Sequence, residues 1–284
     1  MSGAASAIAG AAAVTTAELE QPAVGELLAG ERLRSVSVES RLLLAAARMA
    51  LRDARARTNG PAGAPDGLGV VVATRHAGLQ DYVELFREGT DLERPRVRPA
   101  KGPQAGLTAP AAEISIRLPA AGPNATVCNG AVGGLDALRY AADRLAAGDA
   151  DAMLVCEVEL VPAVVRAAAD DAPHAQRAAV VVLESEQALE ARGAAPFARL
   201  RAVATSFSPA GDTAEAQARA REQALAEAGA GNAEAQSPPD DDAGVLFRLS
   251  AVACGGVHGL QLLQAHEAGA AGAAVMEPER VRRR

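Results

Sequence analysis

Glu113-Ile-Ser-Ile-Arg117, four further residues, then Gly122-Pro-Asn-Ala-Thr-Val-Cys-Asn-Gly-Ala-Val-Gly-Gly-Leu-Asp-Ala-Leu138 is the stretch on which the fold turns. Residues 126–129 are β-branched and apolar enough to read as a strand. A turn with Gly130, Gly133 and Gly134 follows, and residues 135–147 carry the apolar spacing of a helix that Gly148 stops. Residues 152–158 form an apolar run that reads as a returning strand. Strand, glycine turn, helix and strand make an α/β unit. Gly133 and Gly134 fit close helix–strand packing better than a phosphate cradle, because the full G-x-G-x-x-G pattern is missing.

The same alternation extends in both directions. Upstream, residues 40–55 read as a helix with Leu43, Ala47, Ala50 and Ala54 on one stripe. A Gly/Pro turn at 59–67 leads to a buried strand at 68–74. Residues 79–88 form a short helix with Leu79, Tyr82 and Phe86 on one face, and 95–110 is a Pro/Gly-rich loop. Downstream, strands are expected at 178–183, 197–207 and 244–252. Helices are expected at 186–192, 214–228 and 257–268, with a polar, mobile loop at 229–242. Each half offers strands, a long Ala-rich helix and a returning strand, which suggests a duplication.

The chain has 284 residues, 49% hydrophobic and 22% charged, with Ala supplying about a quarter and aromatics only 2%. A core of Ala, Val and Leu suits closely spaced layers of an α/β fold. The net charge of −7 and the shortage of aromatics argue against nucleic-acid binding, and the basic end Arg280–Arg284 reads as a solvated tail. Cys128, Cys156 and Cys254 are too few and too scattered for a disulfide framework or a zinc site, which points to reduced thiols. Residues 1–17 lack the basic and strongly apolar regions of a signal peptide, and no apolar run is long enough to span a bilayer. The expectation is a cytoplasmic protein.

No Walker loop, H-E-x-x-H, G-x-S-x-G or C-x-x-C occurs in the sequence. His76, His174, His258 and His266 show no ligand spacing, so no metal is expected.

The stretch quoted first resembles the nucleophile region of β-ketoacyl synthases of the thiolase fold, which carry GPxxTVxTAC with a cysteine at a strand-to-helix turn. A helix N-terminus there lowers the thiol pKa. Aligned from Gly122-Pro123, the nucleophile position falls on Ala131, which cannot carry an acyl group. The pattern is closer still to the chain length factors of type II polyketide synthases, ketosynthase-like subunits without the cysteine. It matches them without a gap from Glu113 to Leu138, including Gly133-Gly134-Leu135-Asp136-Ala137-Leu138. Residues 33–54, 68–74, 178–194 and 252–269 also resemble family segments, the last through the glycine turn Gly255-Gly256.

The resemblance implies an α/β thiolase-like layered fold, α/β/α/β/α with two duplicated halves. It would form one domain over 1–284, with a first half to about 160 and a shortened second half from about 177 to 275. The excursion after Glu159 is reduced, and the two catalytic histidine motifs of the family are absent, His258 standing in a glycine turn instead. A condensing site needs a thiolate and two histidines to hold the thioester and stabilise the enolate. None occupies a matched position, and Cys128, three residues early, is expected as a buried structural thiol.

What the resemblance implies is therefore a non-catalytic chain-length-factor-like subunit that needs no cofactor. Its expected partners are an active β-ketoacyl synthase, bound as a heterodimer, and an acyl carrier protein acting through that partner. The shortened form points by analogy to a reducing or polyene-type pathway. Thr126, Val127, Cys128, Asn129 and Gly130 would lie at the dimer interface. Leu79, Tyr82 and Phe86 would line the end of the acyl tunnel, against the alternative that they pack in their own core. Two other readings remain: an acyltransferase or hydrolase using Cys128, Cys254 or His258, and a homodimeric acyl-binding scaffold.

Overall fold

The computed structural model describes residues 6–56, 67–91, 93, 99–169, 176–229, 234–235, 246, 261–267 and 270–278. Its strands are β1 (Ser6–Thr15), β2 (Gly69–Thr74), β3 (Asn124–Val127), β4 (Ala152–Glu159), β5 (Arg177–Ser185), β6 (Ala198–Phe207), β7 (Glu234–Ala235), β8 (Gln261–Glu267) and β9 (Ala270–Pro278). The helices are α1 (Thr16–Leu19), α2 (Pro22–Leu27), α3 (Val38–Ala56), α4 (Leu79–Thr90), α5 (Ala109–Arg117), α6 (Gly133–Ala147), α7 (Ala163–Ala169), α8 (Glu186–Ala191) and α9 (Thr213–Glu227). Two 3₁₀ segments, Pro99–Ala105 and Gly130–Val132, complete the elements.

The strands run in the order β3-β2-β4-β5-β1-β6-β9-β8-β7. β2 is parallel to β3 and β4, and β5 is antiparallel to β4 and β1. A short antiparallel contact from Ser6 to Ile8 of β1 joins this set to β6, which pairs antiparallel with β9, and β9 with β8.

Period-two alternation in the strands sorts side chains into separate cores. Val70, Val72, Leu154, Cys156, Val180 and Val182 face α3 and α5. Their neighbours Val71, Val155, Val181 and Leu183 face the opposite way onto Leu135, Leu138 and Ala141 of α6. The far side of α6 meets Leu200, Val203, Ala274 and Met276 from β6 and β9. On the outer face of β6 and β9, Ala204, Ala273 and Val275 pack on Ala220 and Ala224 of α9. The layers are thus α3 with α5, first strands, α6, second strands, α9: the α/β/α/β/α arrangement of a thiolase-like fold.

Local chemistry sets several boundaries. Thr15 and Glu18 form a capping box for α1, Ser185 and Asp212 cap α8 and α9, and Gly148 ends α6 at φ +76°. Gly10 lets β1 touch α3: a Cβ there would lie 2.2 Å from the Ala50 carbonyl oxygen.

Several expectations are corrected. Residues 1–17 were read only as lacking a signal peptide, with no element assigned, yet Ser6–Thr15 form a central buried strand. Residues 257–268 were expected to be helical, yet Gln261–Glu267 is β8, which pairs along seven residues of β9. The pairing of Glu267 with Ala270 leaves a two-residue connection, so ladder formation in a hairpin wins over helical spacing. Within the expected loop 229–242, Glu234–Ala235 pairs with β8 as β7. Leu246 is helical rather than extended, and the rest of 244–252 lies outside the described residues. Between 95 and 110, Pro99–Ala105 is a 3₁₀ segment and α5 begins at Ala109. Residues 59–66, 95–98, 257–260 and 280–284 lie outside the described residues.

Candidate functional site: the strand-to-helix turn before α6

The site is assembled where β2 and β3 end and α6 begins. Gly122 and Pro123 bring β3 alongside β2: the Gly122 N–H donates to the Leu68 carbonyl at 2.9 Å, and the Pro123 carbonyl accepts from Val70 N at 2.8 Å. A Cβ on Gly122 would sit 2.6 Å from the Gly67 carbonyl oxygen, so this approach requires glycine. Gly69 is equally confined, its missing Cβ lying 2.3 Å from the Met153 sulfur.

β3 ends at Val127, two residues before the expected strand end, and the chain turns through Gly130 at φ +53° into the segment Gly130–Val132. Ala131 is half-buried in that turn, two residues before α6 begins at Gly133. The helix N-terminus behind it carries partial positive charge and free N–H groups, the environment that activates a thiol. What stands in front of it is a methyl group. Asn129 donates its side-chain N–H to Asp136 in the first turn of α6.

Gly133 and Gly134 are buried. A Cβ on Gly134 would lie 2.8 Å from Glu157 Oε1, so glycine admits the Glu157 carboxylate beneath the helix start. Glu157, on β4 and only 6% exposed, accepts the Leu246 N–H at 2.8 Å and so ties the second half to the strand under the turn. Sequence reasoning passed over it because one glutamate in an apolar strand carries no motif.

Cys128 is a correction. It is exposed just past the end of β3, not buried within it, and its Sγ lies 3.6 Å from the Arg75 carbonyl oxygen. Cys156 is the buried thiol, and burial pushes its pKa well up, away from reactivity. His76 is half-buried in the turn after β2, where burial and then Arg75 lower its pKa. His266 belongs to β8, while His174, Cys254, Gly255, Gly256 and His258 lie outside the described residues.

Thr126 and Val127 are half-buried, and Asn129 and Gly130 exposed. β3 ends the strand order, so one backbone edge has no neighbour among the described strands. Leu79 is half-buried, while Tyr82 and Phe86 on α4 are 57% and 61% exposed; no residue of α4 is buried. Tyr82 and Phe86 are therefore exposed rather than buried in a core of the described residues. Among the described residues, no group of three His, Cys, Asp or Glu is placed to hold a metal, and no helix is long and apolar enough to cross a membrane.

Residues 26–177, more than half the chain, match the family described as "Beta-ketoacyl synthase, N-terminal domain". The chain belongs to the β-ketoacyl synthase family. The matched part contains the whole turn from Gly122 to the end of α6. No curated protein matches the chain at the level of sequence.

Among solved structures, this ketosynthase-family chain is similar to the ishigamide ketosynthase/chain length factor, with TM-score 0.77 and 20% identity over 96% of this chain and 99% of that one. It is similar to the AntDE:AntF complex, a type II polyketide synthase acyl-carrier protein with its ketosynthase bound to the hexaketide, at TM-score 0.75 and 16% identity over 97% and 99%. It is also similar to a β-ketoacyl synthase from Burkholderia phymatum STM815, at TM-score 0.72 and 16% identity over 97% and 100%. At these identities the likeness is one of fold.

Proposed function

We propose that this chain is a non-catalytic, chain-length-factor-like subunit. It would pair with an active β-ketoacyl synthase in the cytoplasm and shape the end of that enzyme's acyl tunnel in type II polyketide biosynthesis. The observation that carries the reading is Ala131: the strand, turn and helix that would activate a nucleophile are all present, and the nucleophile is replaced by a methyl group. Acyl carrier protein would then meet the complex through the partner.

Two features support a subunit role. The outer edge of β3, which no described strand pairs, carries Thr126 and Val127 and leads into Cys128, Asn129 and Gly130, and it suits a partner strand. The aromatic face of α4, with Leu79, Tyr82 and Phe86, is exposed in the isolated chain and fits a surface that is covered in a complex. Bulky side chains at a tunnel end would stop chain growth by steric exclusion.

The test is reconstituted condensation of acyl-carrier-protein thioesters. The chain alone, and its Ala131→Cys variant alone, should form no condensation product, whereas the ketosynthase should gain activity or a defined product length when this chain is added. Condensation by the isolated variant would overturn the reading of the site.

A second reading, an acyltransferase or hydrolase, is favoured by the exposure of Cys128. An acyl-thioester analogue that labels Cys128 would support it, and absence of labelling would remove it.

A further inference from the structure

We propose that Gln104 is a positioning residue for α4: its side-chain amide keys the Pro99–Ala105 segment to α3 and α5, and that segment sets where α4 stands. Gln104 is the one buried residue of the segment, at 6% exposure. Its Oε1 accepts the Ser37 N–H at 3.3 Å, and its Nε2 donates to Glu113 Oε1 at 2.9 Å. Ser37 caps α3, its Oγ accepting the Ser40 N–H at 3.2 Å. A donor from the start of α3 and an acceptor from α5 therefore meet on a single side chain. An amide serves both because its tip carries an acceptor and a donor together.

Glu113 and Arg117 are the two charged ends of the Glu113-Ile-Ser-Ile-Arg117 stretch, one helical turn apart on α5. Glu113 Oε2 accepts from Arg117 Nε at 2.8 Å, so the two carboxylate oxygens are divided between Arg117 and Gln104. Arg117 also pairs with Glu31 and donates to the Arg32 carbonyl at 3.3 Å. Arg48 of α3 pairs with the same Glu31 and donates to the Leu27 carbonyl at the end of α2. A continuous polar chain thus runs from α2 through α3 and α5 to Gln104. α5 in turn packs on β2 and β3, the strands that end at the candidate site. Gln104 registers the Pro99–Ala105 segment to that frame.

α4 takes its place from the same segment. It rests on Pro99–Ala105 and on α7, with Leu79, Val83 and Leu85 half-buried, and Lys101 pairs with Glu84. At its start Gly78 takes φ +75°, and a Cβ there would lie 2.8 Å from the carbonyl carbon of Ala105, the residue next to Gln104. A shift at Gln104 is passed directly to the helix that carries Tyr82 and Phe86. If those side chains end the acyl tunnel, Gln104 helps to set product length without touching the acyl chain. The effect on product length rests on the subunit role proposed above, whereas the positioning of α4 does not.

The experiment is a substitution with its reversal. Gln104→Glu keeps the shape and sets a second carboxylate against Glu113. Adding Glu113→Gln reverses the pair, because the introduced amide donates to position 104 and still accepts from Arg117. Hydrogen exchange on the isolated full chain should be about threefold to tenfold faster over residues 79–85 and 100–106 in Gln104→Glu, unchanged in α6, and restored in the double variant. In the complex with the ketosynthase, supplied with acyl-carrier-protein thioesters, Gln104→Glu should shift the distribution of product lengths, and the double variant should bring it back. General destabilisation would lower total product without changing the lengths. Unchanged exchange in Gln104→Glu, equal acceleration in α6, or no restoration by Glu113→Gln would overturn the positioning of α4 by Gln104. An unchanged length distribution in a complex that does form would overturn its effect on the product. Failure to form a complex would contradict the subunit role alone, and the exchange result would still decide the positioning.

Discussion

α4 and α6 each follow a strand of the same parallel trio, and they are built in opposite ways. α6 follows β3, buries Gly133, Gly134, Leu135, Ala137, Leu138, Ala141 and Leu145, and serves both halves of the molecule as their shared middle layer. α4 follows β2, has no fully buried residue, and leaves two of the chain's six aromatic residues on its open face. The contrast separates a frame from what it presents. The strand-to-helix turn before α6 is part of the frame because α6 packs on both sides, whereas α4 presents side chains that no core covers.

Variants that break this contrast should do so unequally. Leu138→Ala removes a fully buried side chain from the middle layer and should cost about 2–5 kcal/mol in denaturant unfolding. Gly78→Ala forces a left-handed φ and a backbone clash at the start of α4, and should cost about 1–3 kcal/mol.

A smaller effect is expected at Glu39, on the first turn of α3. Burial raises its pKa above the ordinary 4.5, against its own backbone N–H and Ser37, with Asp81 of α4 adding to the rise. A carboxyl raised on folding contributes stability that is fully present below its unfolded pKa and lost as pH rises through the folded one. Glu39→Gln should therefore stabilise the protein at neutral pH, and the gain should vanish below about pH 4.5. Unfolding curves at the two pH values measure it.

Smallest of all for stability should be Tyr82→Ala and Phe86→Ala, within about 0.5 kcal/mol because both side chains are exposed. Their effect belongs to the complex, where each should lengthen the ketosynthase product. A large loss of stability in the isolated chain would erase the distinction between the two helices.

Much of this was legible in the sequence where apolar residues were large or β-branched. Val70, Val71 and Val72 in β2, Val180, Val181 and Val182 in β5, and the Leu135/Leu138/Leu145 stripe of α6 announced their elements. β1 and β9 were not legible, because alanine is the commonest residue of both and has no strand preference of its own; their identity comes from pairing with β5 and β6. β8 read as a helix because Leu260, Leu263 and Glu267 keep helical spacing, and the ladder with β9 decides otherwise. At the candidate site, the resemblance to β-ketoacyl synthases located Ala131, and helical spacing located the aromatic face of α4. Neither revealed that β3 stops at Val127, which turns Cys128 outward, or that Glu157 fills the space left by Gly134. Such contacts between distant segments have no periodic signature.

The most direct test of the subunit role is the mass of the complex by light scattering after co-expression with the ketosynthase encoded nearest to this chain. A stable one-to-one heterodimer is the result the account predicts. A lone monomer or homodimer, with the ketosynthase eluting separately, would contradict it.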